Sequence, residues 1–189
     1  MTADVIVRAD VLEAEDLKAL VRSVPDFPKP GILFRDITTL IGHGAGFAAS
    51  VRLLADRAEA AGAQAIAGME ARGFIFGAAV AARLELPFAP VRKPGKLPVP
   101  VLAIDYALEY GTDTLEIDPE AISQGQRVVI LDDLIATGGT ALAATQLLRR
   151  AGAQVTHALF AIDLPDLGGA EKLRAEGITV DALMDFPGH

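Results

Sequence analysis

The chain has 189 residues and a net charge of -8, with 51% hydrophobic and 22% charged residues. This length predicts one domain of ordinary size, and the apolar content excludes wholesale disorder. Charged residues interrupt every window of about 18 apolar residues, and the first ten residues carry acids, so neither a spanning helix nor a secretory signal is expected. The absence of cysteine excludes disulfides and fits a reducing compartment, so we expect a cytoplasmic protein.

The net negative charge limits the classes of molecule that the protein is expected to bind. Seventeen Lys and Arg stand against 25 Asp and Glu, which would repel a nucleic acid backbone. We therefore expect neither a nucleic acid nor a membrane as partner. A basic stretch nevertheless occurs within the acidic chain, formed by Arg72, Arg83, Arg92, Lys93 and Lys96. This stretch predicts a site for a small anion.

Strands and helices are predicted to alternate along most of the chain. Apolar residues at helical spacing predict a first helix over 11–24, with Asp10 as N-cap and Pro25 as its stop. The predicted strands after this helix lie at 65–68, 88–91, 115–117, 128–131, 155–162 and 179–183, and the one at 128–131 is expected to be buried. The predicted helices are one ending at Gly62, one at 73–84, a helical turn at 118–119, one at 140–151 and a weaker one before the last strand. A connection is predicted at 26–32 and a mobile Pro/Gly loop at 93–100. This order predicts an α/β fold with a mostly parallel sheet and helices on both faces.

The strongest motif is VVILDDLIATGGTA at 128–141, which joins a buried strand, two acids, a glycine turn and a helix. Ligands of open α/β sheets bind at the carboxyl ends of such strands. The two glycines allow a tight turn, so that N–H groups at the helix start converge on an anion together with the threonine hydroxyls. The residues predicted to form this anion site are Ala136, Thr137, Gly138, Gly139 and Thr140.

Asp132 and Asp133 precede this turn and would repel a bare phosphate. They suit a neighbouring ribose, whose vicinal hydroxyls they meet directly or through Mg²⁺. The motif therefore fits a sugar phosphate. The competing interpretation is a strand with an acidic end and an ordinary glycine turn, but that leaves the joint placement of acids, glycines and threonines unexplained. The motif has neither the GK[ST] lysine of a nucleoside triphosphate loop nor the GxGxxG of a dinucleotide fold.

This motif resembles the one with which type I phosphoribosyltransferases bind 5-phosphoribosyl 1-pyrophosphate (PRPP). Further segments resemble the adenine phosphoribosyltransferases in the same order: DFPKPGILFRDITTL at 26–40, GMEARGFIFGAAVA at 68–81, RKPGKLP at 92–98 and LEYG at 108–111. The resemblance covers about residues 10–175, and its main departure is the absence of the serine that often precedes the tyrosine in AIDYALEYG.

The resemblance implies a fold with a small hood and a flexible loop over the site. It implies a cytosolic purine-salvage enzyme that acts as a homodimer and condenses adenine with Mg²⁺-bound PRPP to give AMP and pyrophosphate.

 The metal is expected to arrive with PRPP, and no protein metal site is expected because His43, His157 and His189 show no ligand spacing.

Site roles follow from the same resemblance. Arg72 lies in a strand-to-helix turn that would hold pyrophosphate, helped by a cis peptide before residue 71 or 72, and Arg92, Lys93 and Lys96 would assist from the Pro/Gly loop. The competing interpretations are a solvated helix-capping residue for Arg72 and a surface charge run for the other three. The loop would also exclude water from the reaction.

The purine contacts are implied in the same way. Glu109 would be the acid/base near the purine and Tyr110 would help to close the site, although Glu109 alone is interpreted as a surface residue. The remaining contacts would be the ring sandwich of Phe34 and Leu134, the main chain near Leu33, and Arg35 in the covering segment, with Asp36 structural.

Base choice is predicted from Ala136. Members of the family that use 6-oxopurines typically carry an aspartate at this position, so we expect adenine to be preferred. The alternatives are an enzyme for another purine, such as xanthine or hypoxanthine, and a PRPP-sensing regulator, which would need a DNA-reading appendage that the acidic N-terminal segment does not offer.

Gly138→Val is expected to abolish PRPP use with little effect on folding, because the valine side chain would fill the space that the phosphate must occupy.

Overall fold

The computed structural model describes residues 9–108 and 111–188. In these ranges the helices are α1 (Ala14–Lys18), α2 (Thr38–Gly42), α3 (Gly44–Ala60), α4 (Gly73–Arg83), α5 (Gly139–Arg150) and α6 (Gly169–Ala175). The strands are β1 (Arg22–Pro25), β2 (Leu33–Asp36), β3 (Ala65–Met69), β4 (Phe88–Val91), β5 (Leu102–Leu108), β6 (Gly111–Ile117), β7 (Arg127–Ile135), β8 (Gln154–Asp163) and β9 (Thr179–Asp185). Short 3₁₀ turns occur at Pro119–Ala121 and Pro165–Leu167.

Five strands form a parallel sheet in the order β4-β3-β7-β8-β9. The central strand β7 contains the apolar run Val128 to Leu131, and all four of these side chains are buried. A strand covered on both faces has no polar face, which explains the uninterrupted run. The prediction of a mostly parallel sheet with helices on both faces is confirmed.

Two apolar clusters cover the two faces of this sheet. One packs α5, α6 and the β5–β6 pair against the sheet, and the other packs α1, α3 and α4 against the opposite face. Neighbouring residues of β7 alternate between them, with Ile130 in the first cluster and Leu131 in the second. Since all five strands run in one direction, their carboxyl ends meet at one edge.

The predicted helix over 11–24 is wrong in extent. Helix α1 covers only Ala14–Lys18, its N-cap is Glu13 instead of Asp10, and Arg22–Pro25 forms strand β1. Leu17 and Val21 are both buried in the same cluster, so their spacing imitated a longer helix. The pairing of β1 with β2 overrides this local pattern.

Strand β5 was not predicted, because no element was assigned between the Pro/Gly loop at 93–100 and the strand at 115–117. It pairs antiparallel with β6 over its whole length, which also extends the predicted strand at 115–117 back to Gly111. Its side chains alternate in exposure, with Ala103, Asp105 and Ala107 exposed and the intervening residues partly buried. This period of two is the ordinary strand signal.

The β1–β2 pair forms a small hood that is anchored by Asp36. The Asp36 carboxylate accepts hydrogen bonds from the Arg22 guanidinium, from Thr38 N at 2.9 Å and from the Thr38 hydroxyl at 2.8 Å. These donors lower the pKa of Asp36 from 3.8 to about 2, with the Thr38 N–H as the largest cause. Asp36 therefore has a structural role, as predicted.

The anchor leads to a prediction on acid stability. The ionised carboxylate stabilises the fold above the unfolded-state pKa, and this contribution is lost as the pH falls from 3.8 toward the folded-state pKa of about 2. Asp36→Asn should therefore lower the urea midpoint of unfolding by its full amount near neutral pH. The difference from the wild type should become smaller as the pH falls below about 4. Urea unfolding across this range checks the trend, with Glu59→Gln on the exposed side of α3 as control. A pH-independent difference would contradict the anchor.

Candidate functional site

Two adjoining cavities lie at the carboxyl edge of the parallel sheet. The first has a volume of about 420 Å³ and is lined by Met69, Glu70, Ala71, Arg72, Lys93 and residues 132–141. The second has a volume of about 310 Å³ and is lined by Ile32, Leu33, Phe34, Arg35, Arg72, Leu134, Ala136, Thr137, Leu164 and Leu167. The shared wall is formed by Arg72, Leu134, Ala136 and Thr137. The first cavity is polar and the second mainly apolar, so together they suit a ligand with a charged part and a flat apolar part.

The turn between β7 and α5 leaves its N–H groups unpaired. Among the described residues, the N–H groups of residues 137–141 make no hydrogen bond, whereas Leu142 N donates to Gly138 O. Helix starts leave such donors free, and a turn that gathers them forms a place for an anion. All five residues predicted for the anion site line the polar cavity.

The expectation that Gly138→Val spares folding is wrong. Gly138 has a φ of +78°, and a Cβ atom there would lie 2.8 Å from the backbone oxygen of Gly169. The added side chain would thus collide with the start of α6, on the side of the turn that packs against the protein. The substitution would disturb the fold before it blocked a ligand.

The two acids of β7 occupy different environments. Asp133 is buried and pairs with Arg72, whose Nε lies 2.7 Å from Asp133 Oδ2. Asp132 is partly buried, accepts a hydrogen bond from Asp133 N at 2.9 Å and packs closely against α4, since a Cβ at Gly73 would lie 2.5 Å from Asp132 Oδ1. Burial raises the pKa of Asp133, and burial together with the Asp133 carboxylate raises the pKa of Asp132 well above its ordinary value.

Arg72 stands between the two cavities. Its guanidinium carbon lies 5.9 Å from the centre of the Phe34 ring, while its Nε contacts Asp133. Arg72 is the N-cap residue of α4 but makes no side-chain capping bond. Arg72 is exposed, as the competing interpretation expects, but its side chain pairs with Asp133 instead of capping the helix. The Glu70–Ala71 peptide preceding it is cis, at one of the two predicted positions.

Glu70 was not predicted as a site residue, yet it organises the basic loop. Its carboxylate accepts hydrogen bonds from Arg92 Nε at 3.0 Å and from Lys93 N at 2.9 Å. The bond from Arg92 is the larger cause that lowers the pKa of Glu70. Arg92 therefore contacts Glu70 and is absent from the lining of the polar cavity, as is the exposed Lys96.

Lys93 does reach the polar cavity, and the β5–β6 pair holds its ammonium group. Lys93 Nζ contacts the Asp113 carboxylate and lies 3.2 Å from the Tyr106 hydroxyl, which in turn donates to Asp113 Oδ2 at 3.2 Å. Thr140 Oγ1 lies 3.3 Å from the same hydroxyl. This chain of contacts joins the basic loop to the start of α5. Tyr106 and Asp113 were not predicted, because the predicted elements include neither β5 nor the first half of β6.

The apolar cavity contains the predicted purine contacts. Phe34 and Leu134 line it together, and Leu164 and Leu167, which were not predicted, complete its wall after β8. The Arg35 guanidinium donates to Pro187 O at 2.9 Å and lies 4.6 Å from the centre of the Phe186 ring. The side chain of Arg35 therefore fastens the hood to the segment after β9.

Two predicted residues, Glu109 and Tyr110, lie outside the described residues. Within the described ranges, no group of three or more His, Asp or Glu side chains has an arrangement that could hold a metal ion. His43 instead caps α3 by accepting a hydrogen bond from Gly46 N at 3.0 Å. No helix of the same ranges is long and apolar enough to cross a membrane.

Comparison with known proteins agrees with this geometry. Residues 38–172 match the phosphoribosyl transferase domain family. The chain is 75% identical over 178 residues to the adenine phosphoribosyltransferase of Novosphingobium aromaticivorans, covering 94% of this chain and 100% of the relative.

Solved structures give the same result. The crystal structure of adenine phosphoribosyltransferase from Thermoanaerobacter pseudethanolicus is 47% identical, with a TM-score of 0.87 over 92% of this chain and 99% of that chain. The Saccharomyces cerevisiae enzyme, crystallised with an imino-altritol bisphosphate and adenine, is 37% identical, with a TM-score of 0.85 over 90% of this chain and 97% of that chain. The chain therefore belongs to the type I phosphoribosyltransferase family and, within it, to the adenine phosphoribosyltransferases.

Proposed function

We propose that the protein transfers the phosphoribosyl group of PRPP to adenine, giving AMP and pyrophosphate in purine salvage. The observation that carries this proposal is the pair of cavities that share a wall at the carboxyl edge of the sheet. The 75% identity to an adenine phosphoribosyltransferase supports it. A polar cavity beside an apolar one accommodates a sugar phosphate and a purine with their reacting atoms at the shared wall.

The polar cavity would bind PRPP in two parts. The free N–H groups of residues 137–141 would hold the 5-phosphate, with the threonine hydroxyls of the turn beside them. Arg72 and Lys93, which line the same cavity, would hold the pyrophosphate. Arg72 pairs with Asp133 and Lys93 pairs with Asp113, and the remaining N–H groups of both cations would donate to phosphate oxygens. Arg92 would act less directly, through Glu70.

The apolar cavity would bind adenine between Phe34 and Leu134. Leu33 lies opposite Pro25 in the hood, and proline has no N–H to offer. The Leu33 carbonyl thus receives no hydrogen bond from its cross-strand partner, which leaves it available to accept one from the 6-amino group. A 6-oxo group would place an acceptor against this acceptor.

The reaction separates charge along the bond that breaks. Positive charge grows on the ribose as the C1–oxygen bond lengthens, and negative charge grows on the departing pyrophosphate. The carboxylates of Asp132 and Asp133 would favour the first, and Arg72 and Lys93 the second, without reorganising during the reaction. Glu109 would manage the purine proton, a role that rests on the family resemblance alone.

The acid pair also fits Mg²⁺ that arrives with PRPP. Carboxylate oxygens are the protein ligands that Mg²⁺ prefers, and this ion usually keeps substrate phosphates and waters in its shell. Asp132 is the better placed of the two, since Asp133 is paired with Arg72. Bound Mg²⁺ would neutralise phosphate charge. The homodimer and the cytoplasmic location stay predictions.

Base choice tests the proposal. Pyrophosphate release measured with PRPP, Mg²⁺ and a panel of bases should show adenine preferred over hypoxanthine and guanine by at least about 10³-fold in kcat/KM, since the unmatched acceptor is left without a partner. Comparable values for adenine and hypoxanthine would refute the adenine assignment. Saturable PRPP binding without turnover on any base would indicate a sensor.

A second prediction concerns Asp132. Asp132→Asn keeps an oxygen that can accept the hydrogen bond from Asp133 N but removes the charge. Turnover should fall about 10²-fold or more, while adenine binding changes little, because Asp132 lines the polar cavity and does not line the apolar one. Steady-state kinetics and adenine titration check this, with Asp181→Asn at the far end of β9 as control. Near wild-type turnover at saturating Mg²⁺ would make Asp132 structural.

A third prediction concerns Glu109. Glu109→Gln is nearly isosteric, so a loss of proton management should reduce turnover by about 10²-fold or more and leave PRPP binding intact. Glu120→Gln, in the 3₁₀ turn, is the matched control. An activity loss below about threefold would return Glu109 to the surface-residue interpretation.

A further inference from the structure

The turn between β7 and α5 is bonded to the first turn of α6. Gly169 N donates to Ala136 O at 3.0 Å, and Lys172 Nζ donates to Thr137 O at 2.9 Å. The two segments also touch at Gly138 and Gly169, where neither residue has room for a Cβ atom. Two consecutive carbonyl groups of the turn are therefore held by α6.

These bonds determine where the neighbouring N–H groups point. In a trans peptide the C=O and the following N–H point in opposite directions. The cis peptides of the described chain lie elsewhere, at Phe27–Pro28 and Glu70–Ala71. With its Ala136 and Thr137 carbonyls turned toward α6, the turn presents the N–H groups of Thr137 and Gly138 away from α6. These are the first two of the free donors of residues 137–141.

Of the two anchoring bonds, only the one from Lys172 depends on a side chain. Lys172 is exposed and forms no ion pair within the described ranges, whereas its neighbours Glu171 and Arg174 pair with each other. The side chain thus reaches 35 residues back along the chain to a single carbonyl oxygen. Holding an exposed lysine side chain at one oxygen costs rotamer entropy, which the hydrogen bond to Thr137 O must offset.

We infer that Lys172 is a positioning residue for the phosphate-binding turn. It holds the Thr137–Gly138 peptide so that Gly138 N faces the 5-phosphate, and it acts through Thr137 without touching the ligand. This inference rests on the proposed function, because it requires the 5-phosphate to bind at residues 137–141. The pyrophosphate part of the site, at Arg72 and Lys93, lies outside the segment that Lys172 holds.

The test compares two ligands on the same variant. Calorimetric titration of Lys172→Met should show ribose 5-phosphate binding weakened by about tenfold and Mg²⁺-pyrophosphate binding unchanged. The KM for PRPP should rise by a similar factor with kcat nearly unchanged. Lys172→Arg keeps both charge and donor, so it should restore ribose 5-phosphate binding to within about threefold of the wild type.

Two controls separate position from charge. Arg174→Gln removes the same charge from the same helix, but Arg174 bonds to Glu171 and Val180 O, so this variant should bind ribose 5-phosphate as the wild type does. The deficit of Lys172→Met should also persist at about 1 M salt, where a through-space charge effect is screened.

The outcomes are distinct. An unchanged ribose 5-phosphate affinity in Lys172→Met would overturn the inference alone, as would equal losses for both ligands or an equal loss in Arg174→Gln. Failure of the wild type to bind ribose 5-phosphate, with pyrophosphate still bound, would overturn the phosphate assignment of the turn and the inference with it.

Discussion

The site depends on the burial of Asp133 at the carboxyl end of β7. A buried carboxylate needs a cationic partner or donors of hydrogen bonds, since burial disfavours its charge. Arg72 supplies that partner at 2.7 Å and so ties the turn before α4 to the central strand. Because Arg72 also borders both cavities, the contact that satisfies Asp133 places a guanidinium where the sugar phosphate and the purine would meet.

Close backbone contacts keep this arrangement in place. Asp132 fits against α4 because Gly73 has no side chain, and the β7–α5 turn fits against α6 because Gly138 and Gly169 have none. The polar contacts of the site therefore come from segments fixed by packing. Charged side chains lining the cavity then provide the groups that would bind the ligand. Lys93 is one example, since contacts with Asp113 and Tyr106 hold its ammonium group beside the cavity.

Much of the fold and the site could be predicted from local patterns. The apolar run of β7, its acids and the glycine turn are contiguous, and the rule that ligands bind at strand carboxyl ends places them. The hood was less predictable, because β1 is formed by pairing with β2 and by the bonds of Asp36, both distant in sequence. The role of Arg92 also depended on a distant partner, Glu70. Leu164 could have been predicted as a site residue, because it directly follows β8 and ligands bind at the carboxyl ends of such strands. No local pattern identifies Lys172 as a partner of Thr137.

The most direct test of the central claim is a crystal structure of the protein with AMP. The account predicts the phosphate within hydrogen-bond distance of the N–H groups of residues 137–141 and the adenine ring between Phe34 and Leu134. A phosphate bound at Arg72 and Lys93, or an adenine ring outside the apolar cavity, would contradict it.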